Sequence, residues 1–311
     1  MATSTATGLL RHGLLAVGAR TEIRDLAMHL PAARSFAGRF VAGETRADAL
    51  RAVLALRARG IQATVDFLGE HVREASQAEA VAAEYEALLA DFAARHLDAQ
   101  VSVKPTALGL DVDEALCRVL VGRIAALAAA NGAAVRIDME GSAYTERTLA
   151  LFKALHGEHP NVGIVLQAYL RRTAADVEEM LQLGASVRLC KGAYDEPPTI
   201  AFANKAEVDA SYQRLMERLL LEGHRPAFAT HDPRLIRHAL WFAAEHDVGR
   251  ERFDFEMLYG IGRPLQRRLA DAGYTVRVYV PYGREWYGYF LRRLAERPAN
   301  LAFFLGAALR R

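Results

Sequence analysis

The chain of 311 residues is 52% hydrophobic and 24% charged, a balance that describes a folded globular protein and excludes a disordered one. Its 39 basic and 37 acidic residues leave a net charge of +2, so bulk charge gives no reason to expect nucleic acid as a partner. Two cysteines, Cys117 and Cys190, are too few for a disulfide framework or a cysteine-rich zinc site, and the composition reads as intracellular.

Taken in chain order, residues 1–21 contain no acid and carry Arg11 and Arg20, which faintly resembles a transit peptide. The preferred reading is an amphipathic helix with Leu9, Leu10, Leu14, Leu15 and Val17 on one side. No apolar run approaches the roughly 20 residues a membrane-spanning helix needs. From about residue 61, short β-branched runs begin to alternate with longer helical segments. The predicted strands are 63–67, 100–104, 134–138, 162–167, 186–190, 226–230, 253–257 and 276–280. Helical periodicity fills the intervals, as over 78–96, 112–130 and 174–183. Eight βα units predict an α/β chain folded as a closed (β/α)8 barrel, the TIM type. An open doubly wound sheet is the alternative, but no Gly-x-Gly-x-x-Gly follows the first strand. The expected organisation is a single domain over 1–311. It comprises N-terminal helices to residue 60, the barrel and a capping helix over 61–297, and a C-terminal helix over 298–311.

Active sites of such barrels lie at the C-terminal ends of the strands. That row is polar throughout: Asp66 and Glu70, Lys104, Asp138 and Glu140, Gln167, Arg188 with Lys191 and Tyr194, Thr230-His231-Asp232, Glu256, and Tyr279. One charge at a strand end is ordinary, whereas eight strands ending so favour a polar site, because buried charges must be paired or coordinated. Asp138, Glu140, His231 and Asp232 are possible metal ligands in type. No His-x-His or His-Glu-x-x-His spacing accompanies them, and no metal is expected. Gly-x-Ser-x-Gly is also absent. After the eighth strand, Tyr289, Arg292, Arg293 and Glu296 fall at i, i+3, i+4 and i+7 on one helical face. Over a barrel mouth, adjacent guanidinium groups make a clamp for a carboxylate.

Several segments then become recognisable: Lys104-Pro-Thr-Ala-Leu-Gly-Leu110, Arg136-Ile-Asp-Met-Glu140, Gln167-Ala-Tyr169, Arg188-Leu-Cys-Lys-Gly-Ala-Tyr194, Phe228-Ala-Thr-His-Asp232 and Phe255-Glu-Met-Leu-Tyr-Gly260. With the helix motif Tyr289-x-x-Arg-Arg-x-x-Glu296, they closely resemble, in order, the strand motifs of the proline dehydrogenase family. The chain resembles a compact monofunctional bacterial member, without room for the aldehyde dehydrogenase domain or DNA-binding segment of bifunctional relatives. The resemblance implies an FAD-dependent oxidation of L-proline to 1-pyrroline-5-carboxylate, with electrons passed to a membrane quinone. It implies 1-pyrroline-5-carboxylate dehydrogenase as a further partner. It also implies a cytoplasmic location, peripheral on the inner face of the membrane.

Carried over by position, Lys104, Arg292 and Arg293 resemble the residues that grip the substrate carboxylate. Tyr279, Leu258 and Tyr289 resemble the wall around its ring. Met139, Gln167, Arg188, Lys191, Gly192, Ala193, Thr230 and His231 match flavin-contacting positions, and Asp138 and Arg188 match the active centre. Glu70 matches the acid that closes the site onto Arg292, and Glu296 completes the gate. A cationic surround of Arg292, Arg293, Lys104 and Arg188 is expected to lower the pKa of a bound amine. The loop after Tyr194 departs from the long relatives, with Asp195-Glu-Pro-Pro in place of aromatic and polar residues. From the bare barrel, three other readings stay open. One is a Schiff-base aldolase on Lys104 or Lys191, another a pyridoxal-phosphate enzyme on the same lysines, and the third a carboxylate-binding module without catalysis.

Overall fold

The computed structural model describes residues 37–296. Helix α1 (Arg46–Arg57) starts where Thr45 and Asp48 cap each other reciprocally, and it buries Ala49, Leu50, Ala52, Val53 and Leu56. Strands β1 (Gln62–Phe67), β2 (Ala99–Val103), β3 (Val135–Ile137) and β4 (Val162–Gln167) follow. After them come β5 (Val187–Cys190), β6 (Ala227–Ala229), β7 (Asp254–Leu258) and β8 (Thr275–Tyr282). Helices α2 (Ala75–Ala94), α3 (Glu114–Ala130), α4 (Thr145–His156), α5 (Thr173–Gln182), α6 (Lys205–Glu222), α7 (Pro233–Glu245) and α8 (Arg263–Asp271) lie between successive strands. Helix α9 (Trp286–Glu296) follows β8.

The eight strands form a closed barrel in sequence order. Closure is made by β1 against β8 in parallel, from Gln62 opposite Arg277 to Phe67 opposite Tyr282. Every predicted strand is present, with ends shifted by a residue or two. The largest change is the extension of β8 to Tyr282 through Pro281. Strand β7 runs out opposite Tyr279, so only β1 flanks Pro281, and a residue without an N–H is tolerated there. Helix α2 begins earlier than its periodicity predicts because Gln77 Oε1 accepts from the Arg73 and Glu74 N–H groups.

Side chains alternate across each strand. Val65, Val101, Val103, Ile137, Ile164, Leu189, Phe228, Phe255 and Val278 form the buried layer between sheet and helices. The opposite set, Thr64, Asp66, Ser102, Arg136, Arg188, Glu256 and Arg277, is also buried, so the barrel interior is charged where such barrels are usually filled by branched apolar residues. Each charge needs a partner there. Arg277 Nη2 lies 3.5 Å from Asp254 Oδ2, and Arg136 Nη1 donates to the Ser186 carbonyl at 2.6 Å. Gly163 makes room for Arg136: a Cβ at that position would stand 2.3 Å from Nη1. Burial, reinforced by Arg188, lowers the Arg136 guanidinium to about 10.

The helix expected over 1–21, with its apolar side at Leu9 to Val17, and the C-terminal helix expected over 298–311 lie outside the described residues. Among the described residues no helix is long and apolar enough to cross a membrane.

Candidate active site

The C-terminal ends of β2 to β8, with α9 above them, enclose a cleft of about 580 Å3. Its size falls within the usual range for a cofactor or small-molecule site. Arg292, Arg293 and Tyr289 reach it from α9, because a three- and four-residue spacing puts them on one helical face.

At the floor, Lys104 Nζ donates to both oxygens of Asp66 at 2.6 and 2.7 Å, and lies 3.9 Å from Asp138 Oδ2. Burial opposes the lysine's charge, but Asp66, Asp138 and Glu70 outweigh it and hold Lys104 above the ordinary lysine value. Asp138 collects three donors: Ser102 Oγ at 2.7 Å, Arg188 Nη1 at 2.9 Å and the Tyr279 hydroxyl at 2.7 Å. Arg188 Nη1 also donates to Ser102 Oγ at 3.0 Å, and Arg188 Nε forms an ion pair with Glu256 Oε2 at 2.6 Å. Burial and the neighbouring Asp138 push the Tyr279 phenol well above the ordinary tyrosine value, so it stays protonated.

Arg292 reaches down to Glu70, with Nη2 to Oε1 at 2.5 Å and Nη1 to Oε2 at 3.2 Å, a two-pronged ion pair. Burial works against the Glu70 charge, but Arg292 and Lys104 more than offset it and keep the carboxyl below its usual range. On the far wall, Gln167 Nε2 donates to the Glu140 carbonyl at 2.9 Å, and His231 Nε2 accepts from the Leu258 N–H at 2.9 Å. That acceptor role puts the ring proton of a neutral His231 on Nδ1.

The structure brings the expected residues together. Lys104, Asp138, Met139, Gln167, Arg188, Lys191, Gly192, Ala193, Thr230, His231, Leu258, Tyr279, Tyr289, Arg292 and Arg293 all line the one cleft. Glu70 meets it through Arg292, while Glu296 is the last residue of α9, with its side chain outside the described set. One expectation changes. Lys104, Arg188 and Arg292 each stand against an acid, Asp66, Asp138 with Glu256, and Glu70, so the field is mixed and not a simple cationic surround. Asp66, Glu256 and Tyr194 are visible in the strand-end row without an assigned role. Ser102 carries no sequence signal, being a small residue inside an ordinary strand.

One feature calls for a bound group. Arg188 Nη2 is buried without a hydrogen-bond partner among the described residues, and an unsatisfied buried donor is costly. Gly192 has φ +111, and a Cβ there would stand 2.2 Å from the Tyr169 ring, so only glycine lets the backbone pass at this wall. A metal is less well served. Glu70, His71 and Glu140 bring ligand atoms within 4.8 Å of one another. Both carboxylates are already engaged, Glu70 by Arg292 and Glu140 by the Thr106 N–H and hydroxyl.

A family model described as proline dehydrogenase matches residues 49–305. The chain is 42% identical to proline dehydrogenase 1 of Bacillus subtilis subsp. natto, covering 88% of this chain and 91% of that one. It is 39% identical to the proline dehydrogenase of Deinococcus radiodurans, covering 97% and 98%. Among solved structures, proline utilization A from Bdellovibrio bacteriovorus, inactivated by N-propargylglycine, matches with a TM-score of 0.79 at 27% identity. That likeness covers 94% of this chain and 37% of the larger protein.

Proposed function

The chain belongs to the proline dehydrogenase family, and on that premise we propose that it oxidises L-proline to 1-pyrroline-5-carboxylate, opening proline catabolism to glutamate. In this reading FAD would be the hydride acceptor and a membrane quinone the final electron acceptor, with the protein cytoplasmic and peripheral on the inner face of the membrane. A 1-pyrroline-5-carboxylate dehydrogenase consumes the product. The observation that carries the reading is the Arg292–Glu70 pair over a charged barrel mouth. A guanidinium held over the cleft by one carboxylate is positioned to donate also to the carboxylate of an amino acid.

The residues fit a flavin. The orphaned Arg188 Nη2 asks for an acceptor, which the nitrogen and oxygen atoms of a flavin ring could supply. Met139, Gln167, Arg188, Lys191, Gly192, Ala193, Thr230 and His231 would hold it. Bound there, the flavin supplies the two-electron acceptor that no protein side chain provides.

The rest is done by the chain. Arg292, Arg293 and Lys104 fix the substrate carboxylate, and Leu258, Tyr279 and Tyr289 wall the ring. Tyr279, kept protonated, shapes the site and takes no proton. Asp138, with its oxygens engaged by three donors, holds Arg188 and Tyr279 in place. Glu70 pairs with Arg292 to close the site over the bound substrate. Enclosure under α9 then excludes water and strengthens each polar contact.

The test is spectroscopic. Purified protein should be yellow, release FAD on denaturation, and bleach with L-proline in the absence of oxygen. Colourless protein, or a yellow one that L-proline leaves oxidised, overturns the reading.

A further inference from the structure

The loop joining β5 to α6 is pinned at both ends. On one side Arg171 Nε donates to the Pro198 carbonyl at 3.0 Å, and the Phe202 N–H donates to the Tyr169 carbonyl at 2.8 Å. On the other, Glu196 Oε1 accepts from the Ser142 N–H at 2.6 Å, and Oε2 accepts from the Ser142 hydroxyl. Ser142 opens the 3-10 turn Ser142–Tyr144 that leads into α4. The Glu196 carboxylate therefore caps the start of a helical segment borrowed from another βα unit, where unsatisfied N–H groups favour negative charge. The loop packs beside Gly141, where a Cβ would be in ordinary contact, 3.6 Å from Glu196 Oε1 and 3.9 Å from Tyr194 Cδ1.

Two residues before this latch, the Tyr194 ring lies 5.5 Å from Arg292 Cζ, within reach of a cation–π contact. Arg292 is thus braced on one side by Glu70 and on another by Tyr194.

We propose that Glu196 is a positioning residue for the substrate clamp: by latching the loop to Ser142 it holds Tyr194 against Arg292 and so sets the affinity for the substrate carboxylate. This rests on the reading of Arg292 as the carboxylate clamp. The latch does not touch substrate; its effect passes through one aromatic ring.

The test compares Glu196→Ala, Glu196→Gln and Ser142→Ala in the flavin-loaded full chain, with L-proline as substrate. KM of Glu196→Ala should rise roughly three- to thirtyfold, the fold-change equivalent to one cation–π contact, while kcat falls far less. Glu196→Gln should recover KM, because its amide can accept from the Ser142 N–H and donate to the hydroxyl. Ser142→Ala, which removes one bond and spares the loop's own sequence, should fall between. In a Tyr194→Leu background Glu196→Ala should add nothing further, which separates the latch from a general loss of stability. A wild-type KM in Glu196→Ala, a full additive loss in the Tyr194→Leu background, or a glutamine no better than alanine overturns the inference. Wild-type protein that fails to turn over proline instead sinks the reading on which it rests.

Discussion

Replacing Asp66 with asparagine isolates the buried ion pair at the floor of the barrel. Asp66 is fully buried and receives Lys104 Nζ on both oxygens, and the next acid, Asp138, is 3.9 Å from the ammonium. Asparagine leaves that ammonium buried beside a neutral group, a loss on the order of 3–5 kcal/mol. With an unfolding entropy of about 2.1 cal/mol/K per residue, a chain of 311 residues should melt about 5–8 °C lower. The pH dependence has a definite sign. Lys104 is held above its ordinary value, so its contribution is complete below about pH 10 and is lost as pH rises through the raised value. The deficit of Asp66→Asn against wild type should accordingly be largest near neutrality. Removing both charges, as Asp66→Leu with Lys104→Met, should melt higher than the single variant, because no orphan cation remains. Thermal unfolding followed by circular dichroism decides it. A single variant melting within about a degree of wild type would refute the reasoning, as would a double variant less stable than the single.

Arg292→Met should raise KM for proline while leaving the flavin bound. Loss of a desolvated charge partner on the order of 2–5 kcal/mol corresponds to roughly a 30-fold rise or more, and an unchanged KM would remove Arg292 from the clamp. Cys117 should be inert in the native protein, because it is fully buried and burial, with Glu140 adding to it, raises its thiol to about 12. A disulfide reagent at pH 8 should not reach Cys117 until denaturant is added. Stability linked to the neutral thiol is complete below its unfolded value and declines as pH climbs toward 12. Fast labelling of Cys117 in folded protein would contradict this.

The strands were legible because each lays a short β-branched run between helical periods. The row of polar strand ends located the site because charge at so many barrel positions is tolerated only where it lines a polar cleft or finds a partner across it. What the residues alone did not give were the partners. Arg188 meets Ser102 86 residues away and Tyr279 meets Asp138 141 residues away, while the pairing of Arg292 with Glu70, 222 residues away, came only from the family resemblance. No periodicity spans such distances, since they are set by barrel closure and by inward-facing side chains meeting across the interior. Hence the cations could be named while their neutralising acids, Asp66 and Glu256, could not be matched to them. Ser102 illustrates the limit. Its hydroxyl gains importance only when Asp138 and Arg188 arrive on either side of it.

The closing seam between β1 and β8 also bears on how the protein comes into being on the ribosome. The first strand of the barrel waits, with one hydrogen-bonding edge open, until Thr275–Tyr282 has emerged to cover it. A contact of such long range closes late, because the loop entropy is lost before the pairing can compensate. During that wait, Asp66 is a solvated ion on an unfinished wall, and its hydration resists premature burial against a neighbouring nascent chain. Any group held in the cleft would be captured later still, since the cleft's walls run from β2 to the arginines of α9, the last described helix to be synthesised. Maturation is therefore ordered in time, with completion of the polypeptide first, ring closure second and loading third. Truncation anywhere before β8 should leave an aggregation-prone open sheet with no capacity to bind the cofactor.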